Sequence, residues 1–434
     1  MHRPTFDPYL NHPDVSIEVG ADGVEHRYVS GGLARRMFLI FAAAYVLSYA
    51  FRSINAVIAE PLVRELGLSA GQLGLLASAY LLTFALMQLP VGIMLDRYGP
   101  RRTEAVLMAV AGLGAFIFAV ADTFAWLWVG RALIGVGVSA CLMAAVKAYS
   151  LYFRPHMQAT MSSWMLVAGS LGALTVTTPV EALLPTLGWR GVFGITGGLC
   201  LLAMALLWYG LPVLFKPQKS QSLADMLQGF KVVFKHPHFW RVAPLATFMQ
   251  GGFMAFHGLW VGPWFTRMAG LSNAEAAQAM FWVSGTLMLG YLTLGFITKK
   301  VSEAGGDEDQ IMMVGMGLSL LVLAFQIWMG VDSSIWGWVL HALLVSTGIM
   351  TYTTCNKPFP KHLTGRSSTG LNLAIFVGAF SIQWGIGLGI DGFSALGFTP
   401  ANAFRTSMGV LWVCMTLSWL WFARPGRKTS HLMN

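Results

Sequence analysis

Charge is what this sequence has least of. Of 434 residues only 47 are charged, 28 basic and 19 acidic, which is 11%, against roughly a quarter in soluble globular domains. So sparse a charge excludes a soluble enzyme, a nucleic-acid-binding domain and a disordered scaffold. Cysteine is scarce as well: Cys141, Cys200, Cys355 and Cys414 lie singly inside apolar runs, which excludes a disulfide framework or a cysteine-based zinc site. They read as small core residues. No P-loop is present, so nucleotide hydrolysis is not the source of energy. No acidic residue stands deep within an apolar run; Glu60, Glu104, Glu181, Glu275 and Asp391 fall at run ends. The first 36 residues show no apolar leader and read as a polar cytoplasmic tail.

What is present is apolar. Hydrophobic residues make up 56% of the chain, about 243 residues, and mean hydropathy is +0.61. At ~20 residues per crossing that suffices for about twelve membrane helices. Runs between charged or Gly/Pro-rich breaks place them at 37–60, 72–95, 104–121, 125–150, 158–180 and 190–213, then at 240–265, 276–298, 311–331, 335–356, 368–391 and 402–422. The reading is an all-α, twelve-span membrane protein made of two pseudo-symmetric six-helix halves, residues 37–213 and 240–422. A 1–36 tail precedes them, a basic linker at 214–239 joins them, and a tail at 423–434 follows.

The +9 net charge is explained by location. Of the 28 cations, 21 fall on one side of these spans, four (Arg64, Arg190, Arg267, Arg405) on the other, and three (Arg52, Arg131, Lys147) inside. That bias puts both termini in the cytoplasm. The expected setting is a multi-pass protein of a bacterial inner membrane, in contact with lipid and not with nucleic acid. Span 2 ends GIMLDR from Gly92, and span 8 ends GFITKK from Gly295, 203 residues on. A parallel two-half repeat of this kind puts a binding site between the halves near the bilayer midplane.

An ionisable group inside a span is costly and faces a cavity or a partner. Arg52 and Lys147 are two such cations without a deep anion, so an anionic solute is the expected partner. His257 lies 205 residues after Arg52 and so faces it across the repeat axis; it is the candidate for a proton or a substrate hydrogen bond. Lys147 maps to Tyr352 in the same way, beside Thr351, Thr353, Thr354 and Asn356. Tyr45, Tyr49, Asn55 and Asn372 are further lining candidates. Trp260, Trp264 and Trp384 could stack on a planar ligand, while Trp126, Trp128, Trp336 and Trp338 fit an interfacial belt.

The segment Gly92 to Arg102, GIMLDRYGPRR, puts Asp96 at a helix C-terminus, where the dipole opposes it and Arg97, Arg101 and Arg102 can compensate; Gly99 allows the turn. It is similar to the loop signature of the major facilitator superfamily, G-x-x-x-D-R-x-G-R-R, and with twelve spans, two halves and a basic linker the resemblance covers residues 37–424. It implies alternating access, with Gly92, Asp96, Arg97, Gly99, Arg101 and Arg102 acting as a conformational latch. Arg131-Ala132-Leu133-Ile134-Gly135-Val136-Gly137 resembles the family's fourth-helix motif, which implies a part in proton coupling; snorkelling is the alternative reading. The fifth span, Gly169 to Pro179, departs from the exporter pattern G-P-x-x-G-G, which tilts toward uptake. Tyr49, Arg52 and Asn55 are similar to the Y-x-x-R-x-x-N stretch of organic-anion importers, where that Arg binds a carboxylate, although Phe51 replaces the Asp often found before it. Glycines of the eleventh span resemble nitrate/nitrite porters, whose paired arginines are not reproduced.

Together these imply a monomeric secondary transporter, proton-coupled, taking up a small anionic solute, a carboxylate, and needing no cofactor and no resident metal. The competing reading is a soft-metal importer: Met249, Met254, His257 and Met268 lie in or beside the seventh span and suit Cu(I). Arg52 and Lys147 would repel a cation. A membrane enzyme lacks a cluster of deep catalytic groups, and the tails are short for a sensor's output domain.

Overall fold

The computed structural model describes residues 13–19, 25–212, 214, 223–303, 305 and 307–424. Its helices begin where the sequence offers caps. Ser69 forms a capping box, its hydroxyl accepting from the Gln72 amide at 3.2 Å while the Gln72 side chain accepts from the Ser69 amide at 3.0 Å. Thr123, Asp307, Ser334 and Thr399 cap other helices with their side chains.

Among the described residues twelve helical passages result. Span 1 is Gly31–Leu66. The helix Ala70–Val120 is 51 residues long, about 76 Å at 1.5 Å per residue, too long for one crossing. Gly99, at φ 80°, breaks it into span 2 (70–98) and span 3 (100–120); only glycine takes that backbone without strain. Span 4 is Phe124–Gly137 and Cys141–Tyr152 with a turn between them. Gly188, at φ 63°, divides Pro155–Gly210 into span 5 (155–187) and span 6 (189–210). A connecting helix, Leu223–Lys235, leads to span 7, which opens as Pro237–Ala246 and continues to Met268 through three wide π turns, Thr247–Gly251, Phe256–Trp260 and Trp264–Met268. Spans 8 to 12 are Asn273–Glu303, Glu308–Met329, Ile335–Asn356, Lys361–Ala395 and Pro400–Ala423.

The all-α, twelve-span architecture expected from composition is thus present, with two local corrections. The N-terminal stretch is not a bare tail: Val15–Val19 and Glu25–Val29 pair as an antiparallel hairpin, and span 1 starts at residue 31. Asp14 accounts for the early start, since its carboxylate accepts from the Leu33 amide at 3.0 Å and satisfies the first turn. The basic linker, for which no secondary structure was assigned, contains the helix Leu223–Lys235. Its first residues, with Lys216 and Lys219, and the tail beyond 424 lie outside the described residues.

Packing follows the two-half plan. One apolar core joins residues 29–214 and takes in Phe376 and Ala379 from span 11; a second joins residues 233–422 and takes in Ala56, Ala59, Leu73 and Ala77 from spans 1 and 2. Small residues allow the closest approaches. A Cβ on Gly137 would lie 2.3 Å from the Ala111 amide nitrogen, and Gly114 and Gly130 abut each other's backbones between spans 3 and 4.

At the end of the bundle away from the termini, here the far end, the halves are tied together. Glu60 of span 1 accepts from Arg267 of span 7 at 2.8 and 3.1 Å. Asp391 of span 11 accepts from the Ser69 hydroxyl at 2.7 Å and from the Ala70 and Gly71 amides at 3.0 and 2.7 Å. At the opposite end the ion pairs Lys147–Asp96, Lys357–Asp309 and Arg154–Glu18 each stay within one half.

Candidate substrate-binding site

Between the halves lies a cavity lined by side chains of spans 1, 5, 7, 8 and 10. Among its described lining residues the only cation is Arg52. The i, i+3 spacing puts Tyr49 and Arg52 on one helix face, and the guanidinium carbon sits 4.7 Å from the Tyr49 ring centre, 5.2 Å from Phe376 and 5.6 Å from Phe84. Phe84 and Phe376 come from opposite halves and stack 4.5 Å apart at 17°. Three rings therefore flank the cation at cation–π range while its Nε is buried without a partner. Gly169 seats the tyrosines: a Cβ there would fall 2.6 Å from the Tyr45 ring and 2.9 Å from that of Tyr49.

Across from Arg52, His257 lines the same cavity. Its Nε2 is 3.1 Å from the Ser284 hydroxyl, and its ring stacks on Phe253 at 5.4 Å and 19°. Gln250 donates to the Gly348 carbonyl at 2.6 Å and to the Thr351 hydroxyl at 2.5 Å. Ser53, Ser170, Tyr291 and Met254 also reach the cavity, and no carboxylate is among its described lining residues. The result is one cation in aromatic walls, opposite a row of neutral hydrogen-bonding groups.

Other sequence-selected residues lie elsewhere. Lys147 is corrected most clearly: it is not an unpaired cation in the cavity, because its Nζ lies 3.0 Å from Asp96. The lysine sits in the span 4 segment after the turn, whose helix carries it toward the span 2–3 turn. The same pair shows that Asp96 draws its countercharge from Lys147. Arg97 lies over the Tyr98 ring at 5.4 Å, and Arg101 donates to the Leu207 and Trp208 carbonyls. Gly92 and Arg102 belong to the same span 2–3 segment. Arg131 does not snorkel: it is fully buried, donates to the Phe51 carbonyl at 3.3 Å and lies over Tyr80 and Phe118. Tyr45 packs edge-on against Tyr49 and Asn55 is buried. The Tyr352 hydroxyl donates to Asn372 at 2.8 Å and the Asn356 amide to Ser368 at 2.8 Å, so these three bind spans 10 and 11 together.

Trp260 and Trp264 are core residues whose indoles donate to the Gln383 carbonyl and the Ser333 hydroxyl; Trp384 packs beside Phe380. Trp338, assigned to the interfacial belt, is buried against Phe256 at 4.7 Å, whereas Trp126 and Trp336 are exposed. Of the proposed soft-metal ligands, Met249 and Met268 are buried in the second core and only Met254 and His257 share the cavity. Sequence reasoning missed Gln250, Ser170, Ser284, Tyr291 and the Phe84–Phe376 pair. Gln250 carried a usable signal, seven residues before His257; the others are ordinary residues brought together by tertiary structure. It also missed that Glu104, placed at a run end, is fully buried.

Comparison with known proteins places this geometry in context. The probable L-galactonate transporter of Escherichia coli (strain K12) is 31% identical over 230 residues, 52% of this chain and 49% of that one. The probable sulfoacetate transporter of Cupriavidus necator is 30% identical over 223 residues, 49% of each. The chain thus spans about half the length of these relatives. Among solved structures, a bacterial homologue of the human lysosomal transporter Spinster, inward-facing and unoccupied, superposes with a TM-score of 0.74 at 18% identity, covering 91% of this chain and 97% of that one. Most decisively, the Major Facilitator Superfamily model matches residues 41–387, and the chain, a multi-pass membrane transporter and not an enzyme, belongs to that superfamily.

Proposed function

We propose that the protein takes up a small organic anion, a sugar acid or a short sulfonated acid, together with a proton, by alternating access between its two halves. The observation that carries this is the ring-flanked, buried guanidinium of Arg52 in a cavity with no carboxylate among its described lining residues. A buried cation lacking a countercharge favours an anion that supplies one, in a fork geometry suited to carboxylate or sulfonate. The neutral groups opposite, on Gln250, Ser170, His257 and Tyr291, suit hydroxyls on the remainder of the solute. The names of the galactonate and sulfoacetate relatives agree with this chemistry.

His257 is the proposed proton acceptor, since it shares the cavity with Arg52 and is oriented by Ser284. Arg131 holds the seam between spans 1 and 4 through Phe51, and the Gly92–Arg102 segment works as the latch at the termini end. By the cation bias that end faces the cytoplasm of a bacterial inner membrane, and a single chain forms the transport unit.

The test is uptake by proteoliposomes under an inward proton gradient, with galactonate, glucuronate, sulfoacetate, nitrate and Cu(I) offered in turn. A sugar acid or sulfonate should accumulate, and Arg52→Ala should abolish that. His257→Gln should keep solute exchange while losing gradient-driven accumulation. Uptake that survives Arg52→Ala, or accumulation of Cu(I) alone, would overturn the reading.

A further inference from the structure

A buried carboxyl stands apart from the cavity. Glu104, one turn into span 3, is fully buried, and among the described residues its oxygens meet no nitrogen or oxygen partner, only the Cys141 thiol beside them. It enters none of the ion pairs of the described residues. Its neighbours come from span 4. The Cys141 thiol lies 3.9 Å from the Met108 sulfur, one turn along the same face as Glu104, and Tyr149, also on span 4, has a buried hydroxyl without a partner. Phe38, Phe41 and Phe153 enclose the Tyr149 ring with centroids 6.3, 6.4 and 5.0 Å away.

The titratable groups facing Glu104 are Cys141 and Tyr149, with Cys200 of span 6 behind Cys141. Lys147, on the same segment of span 4, is engaged by Asp96. Arg101, on the acid's own helix, is turned to the Leu207 and Trp208 carbonyls. Arg131 is no partner either: it packs near Phe118, fourteen residues along span 3 and so about 21 Å away at 1.5 Å per residue. An ionised carboxylate in such surroundings is too costly, so the group is held as the neutral acid.

We propose that Glu104 is a proton-binding site of the transport cycle, loaded while the Asp96–Lys147 pair is made, as it is here, and emptied when that pair opens. The two contacts share their elements: Asp96 and Glu104 flank the Gly99 turn, and Lys147 and Tyr149 lie two residues apart on span 4. Parting span 4 from that turn admits water to the carboxyl. The proton then passes from its oxygen to water on the termini side, leaving an anion that the start of span 3 favours through the helix dipole. This rests on the proton-coupled reading above and adds a site outside the solute cavity.

Infrared difference spectroscopy of the full chain in phosphatidylcholine–phosphatidylglycerol vesicles, titrated from acid to alkaline pH, tests it without any solute. A protonated-carboxyl stretch that persists at neutral pH is expected, absent in Glu104→Gln and retained at a shifted frequency in Glu104→Asp. In Asp96→Asn the stretch should disappear at lower pH, because water favours the anion. In proteoliposomes given labelled galactonate, Glu104→Gln should keep exchange and lose gradient-driven accumulation at least tenfold. A stretch unaffected by Glu104→Gln, or accumulation equal to the parent protein's, would overturn the proposal. Failure of the parent protein to accumulate any offered anion would instead overturn the coupled-uptake reading, leaving the spectroscopic result to decide Glu104 alone.

Discussion

Asp391 and Ser69, 322 residues apart in sequence, meet at 2.7 Å across the seam between the two halves. A carboxylate of span 11 thereby caps the first turn of span 2, where the helix dipole favours negative charge. Replacing it by Asp391→Asn keeps the shape and removes the charge. Hydrogen bonds to charged groups contribute about 1.5–3 kcal/mol and neutral ones about 1, so the population open at the far end should rise about tenfold. Distances between spin labels at Leu66 and Leu396 would report it; an unchanged distribution would show that the cap stabilises span 2 without restraining the halves.

Arg52→Lys separates charge from shape. An ammonium keeps the positive charge but gives up the planar fork and the stacking on Tyr49, Phe84 and Phe376. We expect solute affinity to fall about 10–100-fold, measured by titration calorimetry on the purified transporter, since a lost charged hydrogen bond with its stacking amounts to about 1.5–3 kcal/mol. Equal affinity would mean that charge alone recruits the anion.

Lys147→Ala should leave solute affinity where it is. The pair with Asp96 is partly exposed, 26% and 36%, so its loss should cost under about 1 kcal/mol of stability, while the transport rate falls. The charge swap of Asp96→Lys with Lys147→Asp should restore that rate in vesicle uptake. A large affinity loss in Lys147→Ala would put the lysine back in the solute site.

Gly262 and Gly387 are contact points of the seam: a Cβ would fall 2.1 Å from the Ala56 carbonyl oxygen and 2.3 Å from that of Ala70, respectively. Either glycine-to-alanine change overpacks the far end, at about 1–3 kcal/mol, and should speed hydrogen exchange over residues 66–74. Gly198→Ala, with nothing within 4 Å of the added methyl, is the control and should change nothing.

The architecture could be read from local quantities: apolar run length fixes a crossing, and Gly99 and the acid before it mark a turn. Arg52 and His257 were found because a charge or an imidazole is conspicuous in an apolar run. Lys147 was misplaced because its partner Asp96 is 51 residues away along the chain, a pairing that depends on how span 4 packs against the span 2–3 turn. Glu104 was overlooked for the converse reason. A position beside Arg101 and Arg102 looks solvated in sequence, yet the helix that starts at Pro100 turns that side chain inward. Gln250 and Ser284 are polar residues of a kind that often only joins helices, and nothing local marks them as cavity wall.

The three wide turns of span 7 concern length rather than chemistry. Each accommodates about one residue more than an α turn would, and the middle one contains His257. Span 7 therefore carries slack. Deleting one residue inside such a turn can revert it to ordinary pitch and leave both ends of the span in place, whereas the same deletion in a regular helix swings everything beyond it by about 100°. Insertions and deletions, usually fatal in a membrane crossing, thus become a fine adjustment of how the imidazole is aimed at the cavity.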